Sequence, residues 1–492
     1  MPLTPPIAPD TISSLLDRMP TSSFINGEFI GGDRNLAVEN PATGAQIMTI
    51  AGADAATAGM KALAAASAAA ASWAATTPRH RSDILRRAYE LCLERADDLA
   101  VTMTMEMGKP LAEAYGEVNY GAEFLRWFSE EAVRSSGRFR PAPAAAGQNI
   151  LVYSQPVGPT LLITPWNFPF SMGTRKIGPA LAAGCTVVLK PANLTPLSSL
   201  LLMEILHEAG VPSGVVNCVV TEDSATLSST LMDDPRLRKI SFTGSTAVGR
   251  TLLSQASRNV LRTSMELGGN APFLVLESAD VDKTVTAVMA GKFRNNGEAC
   301  TAANRIYVHR NIAEEFTAAF VDKVKALVLG NGLDEGTTLG PLIDQAAVQK
   351  CQDLVDDAVS KGAEVLLGGR ALERAGHFFP ATVLTNVPRV ARVNKEEIFG
   401  PVAPIIVCET VDDMVEAAND TEFGLMAYVC GQDIDQVRDV VGRIESGMVA
   451  VNVGVASDPA APFGGVKQSG IGREGSHEGL DEYLELKYVR IG

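Results

Sequence analysis

Two short segments carry the residue types that could do covalent chemistry: Phe293-Arg294-Asn295-Asn296-Gly297-Glu298-Ala299-Cys300 and Met265-Glu266-Leu267-Gly268-Gly269-Asn270. A cysteine thiol can attack a carbonyl carbon, and a carboxylate elsewhere in the fold can deprotonate the water that later releases an acyl group from sulfur. Neither segment is diagnostic alone, because an isolated cysteine is most often a small buried hydrophobe and this chain has seven.

Those cysteines, Cys92, Cys185, Cys218, Cys300, Cys351, Cys408 and Cys430, are odd in number and scattered, with no CxxC pair and no histidine at ligand spacing. A disulfide scaffold and a metal site are therefore not expected. The 492 residues suggest two or three domains with ample core, and 46% hydrophobic with 20% charged residues describes an ordinary globular chain. A formal charge of -15 with no basic patch argues against nucleic-acid binding. The proline-rich start, Met1 to Asp10, has no basic region followed by an apolar core, so no secretory signal is read there. The longest low-polarity tract, Ala62 to Ala75, falls short of the roughly 20 residues a membrane span needs. A reducing, cytoplasmic location is the expectation.

The elements that must position the chemistry can be read from periodicity. Ala53 to Met107 reads as helices, first alanine-rich and then with Ile84, Leu85, Ala88, Leu91 and Cys92 near a 3.6-residue period, which predicts a helical N-terminal third. From Thr160 short β-branched runs, Leu161 to Ile163, Thr186 to Leu189, Val215 to Val220 and Lys239 to Phe242, alternate with helical stretches such as Leu197 to Ala209. That alternation means βαβ units and a parallel sheet. A second α/β region runs from Asp280 to about Asn452, with helices at Ala313 to Val328 and Asp344 to Lys361 and strands at Arg305 to Val308 and Val402 to Val407. Two further β-rich pieces, Gln148 to Val157 and Glu482 to Val489, would leave a face and an edge that another subunit could cover. No repeat and no disordered tract beyond the first dozen or so residues is read.

At Phe242-Thr243-Gly244-Ser245-Thr246-Ala247-Val248-Gly249 a strand runs into a glycine turn and then a helix, a setting that can hold a phosphate. Thr246 stands where the usual dinucleotide fingerprint has glycine, and taken alone the segment equally suits an ordinary turn with Thr243 and Ser245 as helix caps.

Taken together, Thr164-Pro165-Trp166-Asn167-Phe168-Pro169, Lys190-Pro191-Ala192, Gly244-Ser245-Thr246, Glu266-Leu267-Gly268-Gly269, the Cys300 segment, Glu397-Ile398-Phe399-Gly400-Pro401 and Pro462-Phe463-Gly464-Gly465 follow a known order. The chain resembles the NAD(P)-dependent aldehyde dehydrogenases from about Phe24 to Lys487. The resemblance implies an α/β fold with a Rossmann-like parallel-sheet cofactor domain (residues 1–140 and 158–267), an α/β catalytic domain (268–455) and a small β oligomerisation element (141–157 and 470–492). It implies Cys300 as nucleophile, Asn167 and the Cys300 N–H as oxyanion donors, and Glu266 as the base that activates the hydrolytic water. Relatives that pass the acyl group to coenzyme A typically lack that glutamate, so a free acid is the expected product. Some close relatives carry a second cysteine two residues after the nucleophile; Ala302 stands there, and no disulfide switch of that kind is expected.

For the cofactor, the resemblance places Lys190 and Asn193 at the adenosine ribose, Gly244 and Ser245 at the phosphate turn, and Glu397 on the nicotinamide ribose. Phe399 would pack near that ring, with Trp166 and Leu267 lining the pocket. A glutamate at position 193 would repel a 2′-phosphate by a few kcal/mol at about 4 Å, and Asn193 removes that repulsion. NADP is the expected cofactor, with NAD the alternative.

Within the family the chain looks most like succinate-semialdehyde dehydrogenases, on Thr174 to Cys185, Lys292-Phe293-Arg294-Asn295 and Arg473-Glu474-Gly475-Ser476. That likeness implies that Arg175, Arg294 and Ser457 hold the carboxylate at the far end of a small anionic semialdehyde, since two planar guanidinium groups select an anionic tail. Glutarate semialdehyde, a broader range of aldehydes, and a non-enzymatic structural or binding role are the competing readings. No nucleic acid and no membrane is expected as a partner; a homodimer or homotetramer is.

Overall fold

The computed structural model describes residues 9–492. Most of the Met1 to Asp10 segment lies outside them, and the last residues of the expected disordered dozen open a helix, Pro9–Asp17.

Two open sheets organise the chain. In the first, the strands Val216–Cys218, Val187–Lys190, Thr160–Ile163, Lys239–Thr243 and Arg262–Glu266 lie side by side and parallel in that order. Every residue of Val187–Lys190 and Lys239–Thr243 is buried, as expected of a parallel sheet covered on both faces. The chain runs outward from Thr160–Ile163 in one direction, then returns to its other side at Lys239–Thr243. That reversal makes a topological switch point, and open α/β sheets bind ligands in the crevice at the carboxyl ends of the strands there.

Antiparallel strands complete both edges of this sheet. Ser23–Ile25 pairs with Glu28–Ile30 across Asn26 and Gly27, both with positive φ (55° and 89°), the mirror-image turn that an Asn-Gly pair favours. With the hairpin of Arg34–Asn40 and Ala45–Gly52, these strands correct the expectation of a helical N-terminal third. After the short helix Pro9–Asp17, the long helices begin only at Ala55–Ala74, followed by Pro78–Glu94, Ala96–Met107 and Leu111–Ala132. On the other edge, Gly470–Ile471 pairs with Met265 and Glu266, so these two residues belong to the first sheet rather than to the C-terminal β piece with which the sequence grouped them.

The second sheet runs Glu364–Leu367, Thr382–Thr385, Val402–Cys408, Ala303–His309, Ala271–Val275, Met426–Cys430, Met448–Val451, all parallel except the first pair. A third sheet joins Leu484–Ile491, Asn149–Pro156 and Arg138–Pro141, antiparallel and eight residue pairs long between the first two. Phe139 (66% exposed), Leu486 (68%) and Tyr488 (58%) stand open to solvent on it.

Candidate active site

Residues that follow the two switch-point strands meet residues from loops and helices around the second sheet at a cavity of about 240 Å³. From Thr160–Ile163 the chain delivers Pro165, Trp166, Asn167 and Phe168; from Lys239–Thr243 it delivers Gly244 and Ser245; and Leu267 follows Arg262–Glu266. Arg175, Arg294, Cys300, Glu397, Phe399 and Ser457 also line it. Of the residues singled out from sequence, Glu266, Lys190 and Asn193 are not in this lining.

Close backbone approach explains two of the glycines. A Cβ at Gly269 would come within 2.4 Å of the Cys300 carbonyl oxygen, so only glycine lets the Glu266 segment lie directly against the Cys300 segment. A Cβ on Gly297 would meet the Gly400 carbonyl at 2.4 Å, which seats the Cys300 loop on the turn that carries Phe399. That loop is held in an unusual shape: Asn295 and Asn296 have φ of 56° and 57°, a left-handed conformation that asparagine tolerates better than most side chains. Asn295 N donates to Glu113 Oε2 at 2.6 Å, Asn296 Nδ2 donates to the Pro341 carbonyl at 2.8 Å, and Gly340 N donates back to Asn296 Oδ1 at 2.7 Å.

Asn167 faces the same loop. Its Nδ2 donates to the Glu298 carbonyl at 2.9 Å, while its own carbonyl accepts from Lys109 Nζ at 2.9 Å and Asn295 Nδ2 at 3.0 Å. Lys109 is fully buried and paired with Glu117, whose other oxygen accepts from the N–H groups of Phe170 and Ser171 at 3.1 and 3.0 Å. A buried ion pair thus fixes both the Asn167 backbone and the start of the helix Ser171–Ala183.

Burial governs the titration of both reactive groups. The half-buried Cys300 thiol is pushed up to about 12 by desolvation, with Arg175 pulling it back down. A thiol of that kind needs a base and a cationic surround to react. Glu266 is 3% exposed and its Oε2 completes no hydrogen bond among the described residues. Desolvation, then the neighbouring Glu474 carboxylate, raise it well above the usual carboxylate range, against Arg175 and Lys176.

Glu474 is itself held ionised by two cations. Its carboxylate pairs with Lys176 Nζ and Arg175 Nε, each at 2.5 Å, and Lys176 also donates to Ser241 Oγ at 2.8 Å. Neither Lys176 nor Glu474 was assigned a role from sequence. The signal was present: Arg175 and Lys176 are the charged residues of an otherwise uncharged, buried helix, and buried cations require a carboxylate partner. Tyr120, Met172 and Phe168 also line the cavity unassigned, and nothing in their spacing singles them out.

The polar groups at the mouth of the first sheet suit a dinucleotide. The buried hydroxyls of Thr164 and Thr243, each at or just beyond a switch-point strand end, have no partner among the described residues. Ser245 caps the helix Thr246–Ala256, its Oγ accepting from Val248 N at 3.4 Å, so one bland reading of that segment holds alongside its place on the cavity. Lys190 Nζ donates to Asn193 Oδ1 at 2.9 Å, and burial lowers the lysine to about 8, leaving it mostly charged at neutral pH. Glu397 Oε1 accepts from Gly269 N at 3.0 Å, and Phe399, with φ of 55°, stands edge-on to Trp166 at 5.4 Å. Among the described residues no cluster of histidine, cysteine and carboxylate side chains could hold a metal, and no helix is long and apolar enough to cross a membrane.

Residues 29–489 match the aldehyde dehydrogenase family model. Among curated relatives, a succinate-semialdehyde dehydrogenase of Paenarthrobacter nicotinovorans is 54% identical over 87% of this chain and 95% of its own. A glutarate-semialdehyde dehydrogenase of Pseudomonas putida is 48% identical over 95% of this chain and 97% of its own. The crystal structure of an E. coli NADP dependent enzyme superposes with a TM-score of 0.95 at 46% identity, covering 98% of this chain and 99% of that one.

Proposed function

This chain belongs to the aldehyde dehydrogenase family and has its fold, and from that premise we propose that it oxidises succinate semialdehyde to succinate with NADP. The observation that carries the substrate is the cavity wall: Arg175, Arg294 and Ser457 share one small space with Cys300. Arg175 lies with its guanidinium 3.8 Å over the Phe463 ring and Arg294 lies 5.4 Å over Phe168, so both charges are presented on aromatic supports.

Cys300 Sγ attacks the aldehyde carbon and forms a thiohemiacetal, its proton leaving to a base. Arg175 and Arg294 favour the thiolate. The oxyanion that develops is met by the Asn167 amide and the Cys300 N–H, donors fixed before the reaction and therefore worth more in the transition state than in the ground state. Bound NADP supplies the hydride acceptor that turns this adduct into a thioester. Glu266, desolvated and basic, removes a proton from water as it attacks the thioester, releasing succinate and the Cys300 thiol. Lys190, Asn193, Gly244, Ser245 and Glu397 hold the dinucleotide in this reading, with Trp166, Leu267 and Phe399 around its nicotinamide end. Asn193 carries no charge against a 2′-phosphate, and the E. coli structural relative is named NADP dependent.

In the same reading, residues 1–140 with 158–267 serve the cofactor, 268–455 serve catalysis, and 141–157 with most of 470–492 serve assembly into a homodimer or homotetramer in the cytoplasm. The exposed Phe139, Leu486 and Tyr488 support that assembly face. Glutarate semialdehyde is the second reading, favoured by the Pseudomonas putida relative and by arginines that could grip a tail one carbon longer. The test is kcat/KM for both semialdehydes and for pentanal, in the parent enzyme and with Arg175→Ala and Arg294→Ala. Preference for the four-carbon substrate, lost selectively for anionic substrates in the variants, is expected; equal losses for pentanal would make the arginines structural.

A further inference from the structure

The tail-binding wall contains a tyrosine hydroxyl besides the two arginines and the serine. Tyr120, on the helix Leu111–Ala132, lines the same cavity as Arg175, Arg294 and Ser457. We propose that the Tyr120 hydroxyl is a fourth donor to the substrate's distal carboxylate and a determinant of selectivity for anionic aldehydes. This inference rests on the semialdehyde reading of the site.

Donor supply makes the case. A carboxylate offers about four acceptor positions, and one taken from water into an apolar cavity is costly unless they are filled. The rest of this wall is largely apolar, built from Phe168, Met172 and Phe463, with Thr301 beside Arg294 and Ser457. Arg175 is not wholly free to supply the need, because its charge is shared with Glu474, whose carboxylate lies 2.5 Å from Nε as an ion pair. What remains is the outer edge of Arg175, with Arg294 and the hydroxyls of Ser457, Thr301 and Tyr120. Tyr120 shares this wall with Ser457, Arg175 and Arg294. Burial raises its pKa against the pull of those arginines, so it keeps its proton at neutral pH and can donate it. Its ring is held edge-on to Phe124 at 4.9 Å, and Phe124 also lies under the Arg175 guanidinium at 5.9 Å, so hydroxyl and guanidinium are positioned by one aromatic neighbour.

The experiment compares kcat/KM for succinate semialdehyde and pentanal in the parent enzyme, Tyr120→Phe, Ser457→Ala and the double variant. Phenylalanine keeps the ring and its packing. Loss of one hydrogen bond to a charged group predicts that the anionic-to-neutral ratio falls about tenfold in Tyr120→Phe, mostly through KM for the semialdehyde. The double variant should lose less than the product of the single losses, since both hydroxyls serve one carboxylate. An unchanged ratio in Tyr120→Phe, with a parent enzyme that does prefer the anion, overturns this inference alone. A parent enzyme with no preference for the anion overturns the semialdehyde reading along with it.

Discussion

The Asn167 side chain donates to the main-chain carbonyl of Glu298 at 2.9 Å, tying the segment that follows the central strand of the first sheet to the loop that ends in Cys300. The amide has two N–H groups and this bond uses one, leaving the other for an oxyanion on the carbon attached to Cys300. Asn167→Ala should therefore lower kcat by about 100- to 1,000-fold, the usual cost of removing an oxyanion donor. Rapid-mixing kinetics would check it; a change confined to KM would show that Asn167 only shapes the cavity.

Glu266 and Glu474 make a prediction about pH. A base works only when ionised, and burial together with the Glu474 charge raises Glu266, so the acid limb of the kcat profile should lie above the ordinary carboxylate range. Glu474→Gln removes one raising influence and leaves Arg175 and Lys176 free to lower Glu266 further. Both effects act in the same direction, and the limb should move to lower pH. A limb that stays in place or rises would show that Glu266 does not set it. The same change leaves buried Lys176 without its ion partner, and a loss of about 3–5 kcal/mol of stability in denaturant titration is expected.

Cofactor choice can be reversed at one position. Asn193→Glu would place a carboxylate three residues from Lys190, where Asn193 Oδ1 now accepts from the lysine at 2.9 Å. Repulsion of a 2′-phosphate by a few kcal/mol should shift the kcat/KM ratio toward NAD by at least about tenfold. Parallel Michaelis constants for the two dinucleotides would show it; an unaltered ratio would place the 2′-position elsewhere.

Four of the five parallel strands between Thr160 and Glu266 were legible because strands buried on both faces are rich in apolar and β-branched residues, whereas Arg262–Glu266, mostly polar, was not. The edge strands were not, since Ser23–Ile25 and Glu28–Ile30 are three residues each; only the Asn26-Gly27 pair between them announced a hairpin. Cys300, Glu266 and Asn167 stood out only as parts of an ordered set of motifs. Lys176 and Glu474 are 298 residues apart, and a pairing at that separation leaves no local pattern beyond cations in an otherwise uncharged helix. Tyr120 reaches the cavity from a helix whose neighbours in sequence have no part in it, so only the packed fold reveals its place.

The central claim is that Cys300 carries the acyl group through an NADP-linked oxidation, and one assay tests it most directly. Reduced nicotinamide absorbance is followed after succinate semialdehyde is mixed with the parent enzyme or Cys300→Ala, with NADP or NAD, while dinucleotide binding is measured separately. Steady reduction by the parent, faster with NADP, and none by a Cys300→Ala variant that still binds dinucleotide is the predicted result. Turnover retained without the thiol, or no reduction by the parent with either dinucleotide, would contradict it.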